Sequence, residues 1–102
     1  MTMRLGSNDI KGICGMLPAF GTDSASSIHE QSTVDLNRLF QGVKQAIDDG
    51  IDSLATTMTS GEFHTLLWEE QQELIAATIE IARGRVPVLV ACVGINTREA
   101  LR

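Results

Sequence analysis

Tyrosine is missing from this chain and lysine is scarce, with only Lys11 and Lys44 in 102 residues. No phenolic proton donor can come from these residues, and amine chemistry would have just two side chains to use. Basic runs are lacking too. Eight Lys and Arg stand against 13 Asp and Glu, for a formal net charge of -5. That balance excludes nucleic-acid binding through a general positive field and leaves no cationic patch for a membrane surface. An anionic ligand would have to be held by local donors. The longest apolar run, Val86 to Val93, contains Pro87 and is far too short to span a bilayer. The start, Met1-Thr2-Met3-Arg4-Leu5, has no apolar stretch of signal-peptide length, so the expected location is the cytoplasm.

Cysteine is limited to Cys14 and Cys92, both in apolar surroundings and neither near a Cys or His at metal-ligand spacing. Two buried thiols are expected rather than a disulfide or redox pair. His29 and His64 likewise lack a partner at ligand spacing, so they read as surface or loop residues, although His64 could edge a pocket. No metal site and no cofactor are expected.

The chain does have the composition of a globular domain, 43% hydrophobic and 21% charged. Three apolar, strand-like runs recur at Gly12–Leu17, Ile51–Thr57 and Val86–Val93, with helical patterns between them. That order is the signature of parallel βαβ units. In the first helical pattern, Leu36, Leu39, Phe40, Val43 and Ile47 fall on one stripe. Ser32 or Thr33 is placed to cap it, Asp35 adds charge favoured by the helix dipole, and Gly50 stops it. The second runs from about Leu67 to Arg83, with Leu74, Ile75, Thr78, Ile79 and Ala82 inward and Gly84 at its end. Leu67 cannot cap it, so Thr65 is expected to cap one turn early. The third strand is apolar without alternation, which predicts burial on both faces, with Pro87 at its first residues. Asn96 or Thr97 then opens a helix inside which the chain stops at Arg102.

Strands spaced by roughly 35 to 40 residues, repeated eight times, give about the length of a (β/α)8 barrel. The expected fold is therefore α/β: the first three βα units of such a barrel, as part of one domain cut at the start of its third helix. A doubly wound open sheet is the competing fold, but the first strand-to-helix turn has no Gly-rich phosphate loop. Expressed alone, three strands with two open edges should aggregate or stay molten.

Barrel active sites lie at the C-terminal ends of the strands. Three segments fall there: Pro18 to Asp23, Met58 to Glu62 and Gly94 to Thr97. In the second, Thr59 and Ser60 bring two hydroxyls and two adjacent amides, and Gly61 allows a tight turn. Consecutive amides in a turn form a concave anion site, and a carboxylate there would accept charge-assisted hydrogen bonds. A plain polar loop has the same pattern.

The segment Thr59-Ser60-Gly61-Glu62 resembles the Thr-Thr-Gly-Glu or Ser-Thr-Gly-Glu signature of the dihydrodipicolinate synthase and N-acetylneuraminate lyase superfamily. Its surroundings are similar too, in Gly12 to Pro18, Asp48 to Leu54, Gly84-Arg85-Val86-Pro87-Val88 and Gly94 to Arg98. The stretch Asp23 to Ser27 before Ser32 to Leu36, the run Leu67-Trp68-Glu69-Glu70, and Asn96 to Glu99 resemble the branch of hydratase-aldolases that cleave benzylidenepyruvates.

The resemblance implies a Schiff-base, pyruvate-dependent lyase acting on 2-oxo acids. The family uses a lysine on the sixth strand, a tyrosine from the fourth or fifth, and a homotetrameric assembly. Carried over, Thr59 and Ser60 would bind the pyruvate carboxylate, and Thr59 would join the proton relay. Neither Lys11 nor Lys44 matches the sixth-strand lysine, so residues 1–102 alone should form no pyruvate Schiff base. Met58 stands where the family has a small glycine, which puts bulk near the pocket and alters the backbone there. Pro18-Ala19-Phe20 replaces a hydroxyl-bearing turn. Phe20 could line an aromatic pocket, though packing is the simpler role. Trp68 is read as packing, and Glu62 as a structural partner for nearby amides. The alternative function is a non-catalytic barrel piece or a degenerate paralogue, with a binding or assembly role or with none.

Overall fold

Short parallel strands alternating with helices make up the computed structural model, which describes residues 4–30, 32–92, 94 and 96–101. The order is β1 (Cys14–Met16), α1 (Leu36–Asp48), β2 (Ser53–Thr56), α2 (Trp68–Ala82), β3 (Val88–Val90) and α3 (Thr97–Ala100), with 3-10 turns at Ser7–Asp9, Thr59–Gly61 and Phe63–Thr65. The sheet order is β1-β2-β3, and both pairings are parallel. The strands are shorter than the apolar runs. Val93, assigned to the third strand from its pattern, lies outside the described residues.

Register places Gly15, Leu54 and Val88 on one face, and Cys14, Ser53, Met16, Ala55 and Leu89 on the other. The first face is covered by the two long helices. Leu17, Val34, Leu39, Val43, Leu54 and Leu74 form the buried core there, with Ile47, Ile51 and Ile81 packed around it. On the second face the central Ser53 and Ala55 are buried, but no helix among the described residues packs over the β1 edge, where Cys14 is exposed and Met16 is 54% exposed. This overturns two expectations. Cys14 and Cys92 are exposed thiols, not buried ones, and β3 is half-buried along its length rather than buried on both faces. An apolar run reports what a strand can bury, not what lies over it.

The helix stripes are narrower than the sequence pattern. On α1 only Leu39 and Val43 are fully buried, while Leu36 and Phe40 turn outward. On α2 the buried row is Glu70, Leu74, Thr78 and Ala82, and Ile79 is exposed. The buried Thr78 hydroxyl donates to Leu74 O at 2.7 Å, so it fits an apolar row.

The caps expected for α1 and α2 are not used. Asp35, not Ser32 or Thr33, caps α1, its Oδ1 accepting from Asn37 N at 3.0 Å and Arg38 N at 3.1 Å. Thr65 donates its hydroxyl to Glu62 O at 2.8 Å and does not cap α2. At the far end of α2, Arg83 (φ 45°) and Gly84 (φ 74°) are both left-handed, and the Arg85 guanidinium donates to Ala82 O and Ile81 O. At the other helix end, Gly50 stops α1 in the expected left-handed conformation, with φ 92°. Pro87 directly precedes β3, and its carbonyl accepts from Leu54 N at 2.9 Å. Asn96 caps α3 through Glu99 N at 3.0 Å.

Candidate active site

Parallel strands send all their outgoing loops from one edge of the sheet, and the signature turn lies on that edge. β2 ends at Thr56. The next residue, Thr57, is fully buried and left-handed, with φ 57°. That backbone is a true outlier for a β-branched residue. Its Oγ1 donates to Thr56 O at 2.7 Å. Met58 follows in ordinary extended backbone, φ -84° and ψ -172°. The unusual backbone expected around Met58 is therefore borne by its neighbour.

Thr59–Gly61 then form a 3-10 turn, closed by Gly61 N to Met58 O at 2.9 Å and Glu62 N to Thr59 O at 3.1 Å. Gly61 is buried against the end of β1, where a Cβ would lie 3.1 Å from Leu17 O. The first N–H groups of such a turn have no internal acceptor. Those of Thr59 and Ser60 have no hydrogen-bond partner among the described residues, and both residues are exposed. Among the described residues, two neighbouring amides and two hydroxyls thus stand without a partner at the C-terminal edge, and such a group can receive an anion.

The loop after β1 makes an excursion and returns to α1. Its neck is closed by Asp35 N to Phe20 O at 2.8 Å, Thr22 N to Thr33 O at 2.9 Å and a bridge between Gly21 and Val34. Phe20 is left-handed, with φ 51°. Its ring lies over α1 at Gly42, where a Cβ would come within 2.5 Å of Cζ. Packing is thus its observed role. Arg38 ties the neck down through Gly21 O at 2.9 Å and Asp23 at 2.6 Å.

A second tie joins this excursion to the signature loop. The buried Glu70 accepts from Thr33 N at 3.0 Å and from Thr33 Oγ1 through one carboxylate oxygen, and from Leu67 N at 3.0 Å through the other. Burial pushes its pKa up, but the hydrogen bonds from Thr33 and Leu67 outweigh burial and hold the carboxyl below its ordinary range. Glu70 stands three residues after the cap position of α2, from which a carboxylate reaches back to the first turn. That spacing was a usable sequence signal. Nothing comparable marked Thr57, since Thr-Thr at the end of an apolar run reads as strand.

Between the two loops lies an open hollow of about 300 Å³, lined in part by Ala25, Ser26, Thr33, Glu62 and Thr65. Thr59 and Ser60 do not line it. Glu62 is not the amide partner expected of it: it is left-handed (φ 55°), and its carbonyl, not its carboxylate, accepts from Thr65. His64 is exposed, with its ring edge-on to Phe63 at 5.6 Å, and His29 is exposed in the excursion. Trp68 is half-buried at the start of α2. Lys44 is exposed on α1, and Lys11 lines a separate hollow of about 350 Å³ with Asp52 and Arg85 at the N-terminal edge. Among the described residues, no three His, Cys, Asp or Glu are grouped so as to hold a metal ion, and no helix is long and apolar enough to cross a membrane.

The pattern of the dihydrodipicolinate synthetase family matches residues 17–102. The chain belongs to that family. It is 36% identical over 101 residues to trans-O-hydroxybenzylidenepyruvate hydratase-aldolase of Pseudomonas putida, a match that covers 99% of this chain and 30% of that protein. Its fold superposes on a solved structure of PhdJ bound to a substrate intermediate with TM-score 0.89 and 30% identity, over 98% of this chain and 31% of that one. It is also similar to the chloride-inhibited dihydrodipicolinate synthase of Acinetobacter baumannii complexed with pyruvate, at TM-score 0.79 and 27% identity, covering 90% and 29%. The chain thus spans about 30% of the length of the relatives it matches. Its three βα units are the N-terminal part of a (β/α)8 barrel, as the sequence pattern predicts, and not a doubly wound sheet.

Proposed function

We propose that this chain supplies the carboxylate-holding end of a Schiff-base, pyruvate-dependent lyase that acts on 2-oxo acids. One observation carries the reading: the amides of Thr59 and Ser60, at the C-terminal edge of the sheet, have no hydrogen-bond partner among the described residues. Two amides and two hydroxyls there hold one end of pyruvate and so fix the carbon that gains or loses a proton. Thr59 is assigned to the proton relay as well. A Schiff base serves as the electron sink in such chemistry, and its lysine is neither Lys44, on an exposed helix surface, nor Lys11, at the opposite edge. The whole protein is proposed to be a cytoplasmic homotetramer, which light scattering would read as a four-fold mass.

The test begins with the natural reading frame. A frame that continues past Arg102 into a tyrosine-bearing strand and a strand with a buried lysine supports the enzyme, and a stop at Arg102 defeats it. Protein made from that frame is then treated with pyruvate and borohydride. Label on a lysine other than Lys11 or Lys44 is expected. Thr59→Ala and Ser60→Ala should each raise the pyruvate concentration for half-maximal trapping by roughly tenfold, the worth of one hydrogen bond to a charged group. Label on Lys11 or Lys44, or unchanged half-saturation in both variants, would overturn the proposal.

A further inference from the structure

We infer that Thr57 is a positioning residue whose left-handed backbone sets the signature turn across the tips of β1 and β2. The inference rests on the carboxylate reading of Thr59 and Ser60. Thr56 still pairs with Val90 in the sheet, yet five residues later the buried Gly61 lies against the carbonyl of Leu17, just past the end of β1. The chain must therefore leave the line of β2 abruptly and cross toward its neighbour. The first unusual backbone angle after β2 is at Thr57, with φ 57°, and Met58 beyond it is extended.

A β-branched side chain disfavours this conformation, so something must hold it. Burial holds the side chain, which is 1% exposed, and the hydroxyl bond to Thr56 O supplies a local partner. Strain over-determined by its surroundings is characteristic of functional turns. Here its effect is geometric: with an ordinary negative φ at residue 57, the chain would continue along β2 and Gly61 would not meet Leu17. The amides of Thr59 and Ser60 would then no longer stand side by side over the strand tips.

Three variants separate this role from plain packing, all in protein made from the natural frame. Thr57→Val keeps the volume and the β-branch but loses the hydroxyl. Thr57→Asn and Thr57→Gly both tolerate the left-handed region. The ligand-free readout is hydrogen exchange at the Gly61 and Glu62 amides, which close the turn. The ligand readout is the pyruvate concentration that gives half the maximal thermal shift. Thr57→Val should speed exchange and raise that concentration, each by about tenfold, and Thr57→Asn and Thr57→Gly should restore much of what Val loses. A packing role gives the reverse order, with Val like the parent and Gly worst, and that order would overturn the inference. So would equal exchange in all four proteins. If exchange follows the expected order while the parent shows no pyruvate response, the positioning stands and the carboxylate reading falls.

Discussion

Replacing Glu70 by glutamine tests whether one carboxylate locks the β1 excursion to the start of α2. The acid has three donors pointed at it, Thr33 N, Thr33 Oγ1 and Leu67 N, and is only 8% exposed. Glutamine offers one oxygen and presents its NH2 to the remaining donors. At least one hydrogen bond to a charged group is lost, worth about 1.5–3 kcal/mol. Local opening at Thr33 and Leu67 should rise roughly ten- to a hundredfold, and hydrogen exchange at those amides reads it directly. The pH dependence has a fixed sign. The folded pKa of Glu70 is lowered, so between the folded and unfolded values the unfolded chain binds more protons. Its stabilisation is present above the ordinary carboxylate range and fades as pH falls through the folded value. Protection at Thr33 and Leu67, corrected for intrinsic exchange, should therefore drop with acid in the parent and be flat in Glu70→Gln. Equal protection in both proteins, or a parent profile flat into acid, would refute the lock.

Three further perturbations follow from the same contacts. In protein made from the natural frame, Asp35→Ala removes the α1 cap and should cost about 1 kcal/mol in urea unfolding, whereas Ser32→Ala should cost nothing measurable. Gly42→Ala gains about 1 kcal/mol of helix propensity, but it drives a Cβ into the Phe20 ring and should be destabilising by about 1–3 kcal/mol. In a Phe20→Ala background the same change should become stabilising. Residues 1–102 expressed alone should show no sharp cooperative melt, because β1 and β3 each have an unpaired edge among the described residues and Met16 and Ile13 are exposed. A monodisperse monomer with a sharp transition would contradict that.

Much of this molecule is legible in its sequence. The alternation of apolar runs with helical patterns determined the parallel sheet, because period and spacing alone separate the two element types. Asn96 and Gly50 mark their helix ends by chemistry, and the Thr59 to Glu62 signature marks the family. Local competition was harder to read. Ser32, Thr33 and Asp35 are all good caps, and the choice fell to Asp35 because the Glu70 carboxylate engages Thr33 instead. Leu36, Phe40 and Ile79 fit a helical stripe, but only the crossing of α1 and α2 decides which part of a stripe faces inward.

Sequence periodicity determined that three βα units form and in what order, since each depends on residues close together in the chain. Tertiary structure alone decided which sheet face the two long helices cover, and it left Cys14 and Met16 exposed at the β1 edge of the other. It also decided that Gly61 meets Leu17 and that the bend toward it falls on Thr57 rather than on Met58. Those contacts join residues far apart in sequence, and no local propensity encodes them: a threonine enters the left-handed region only when its distant neighbours hold it there.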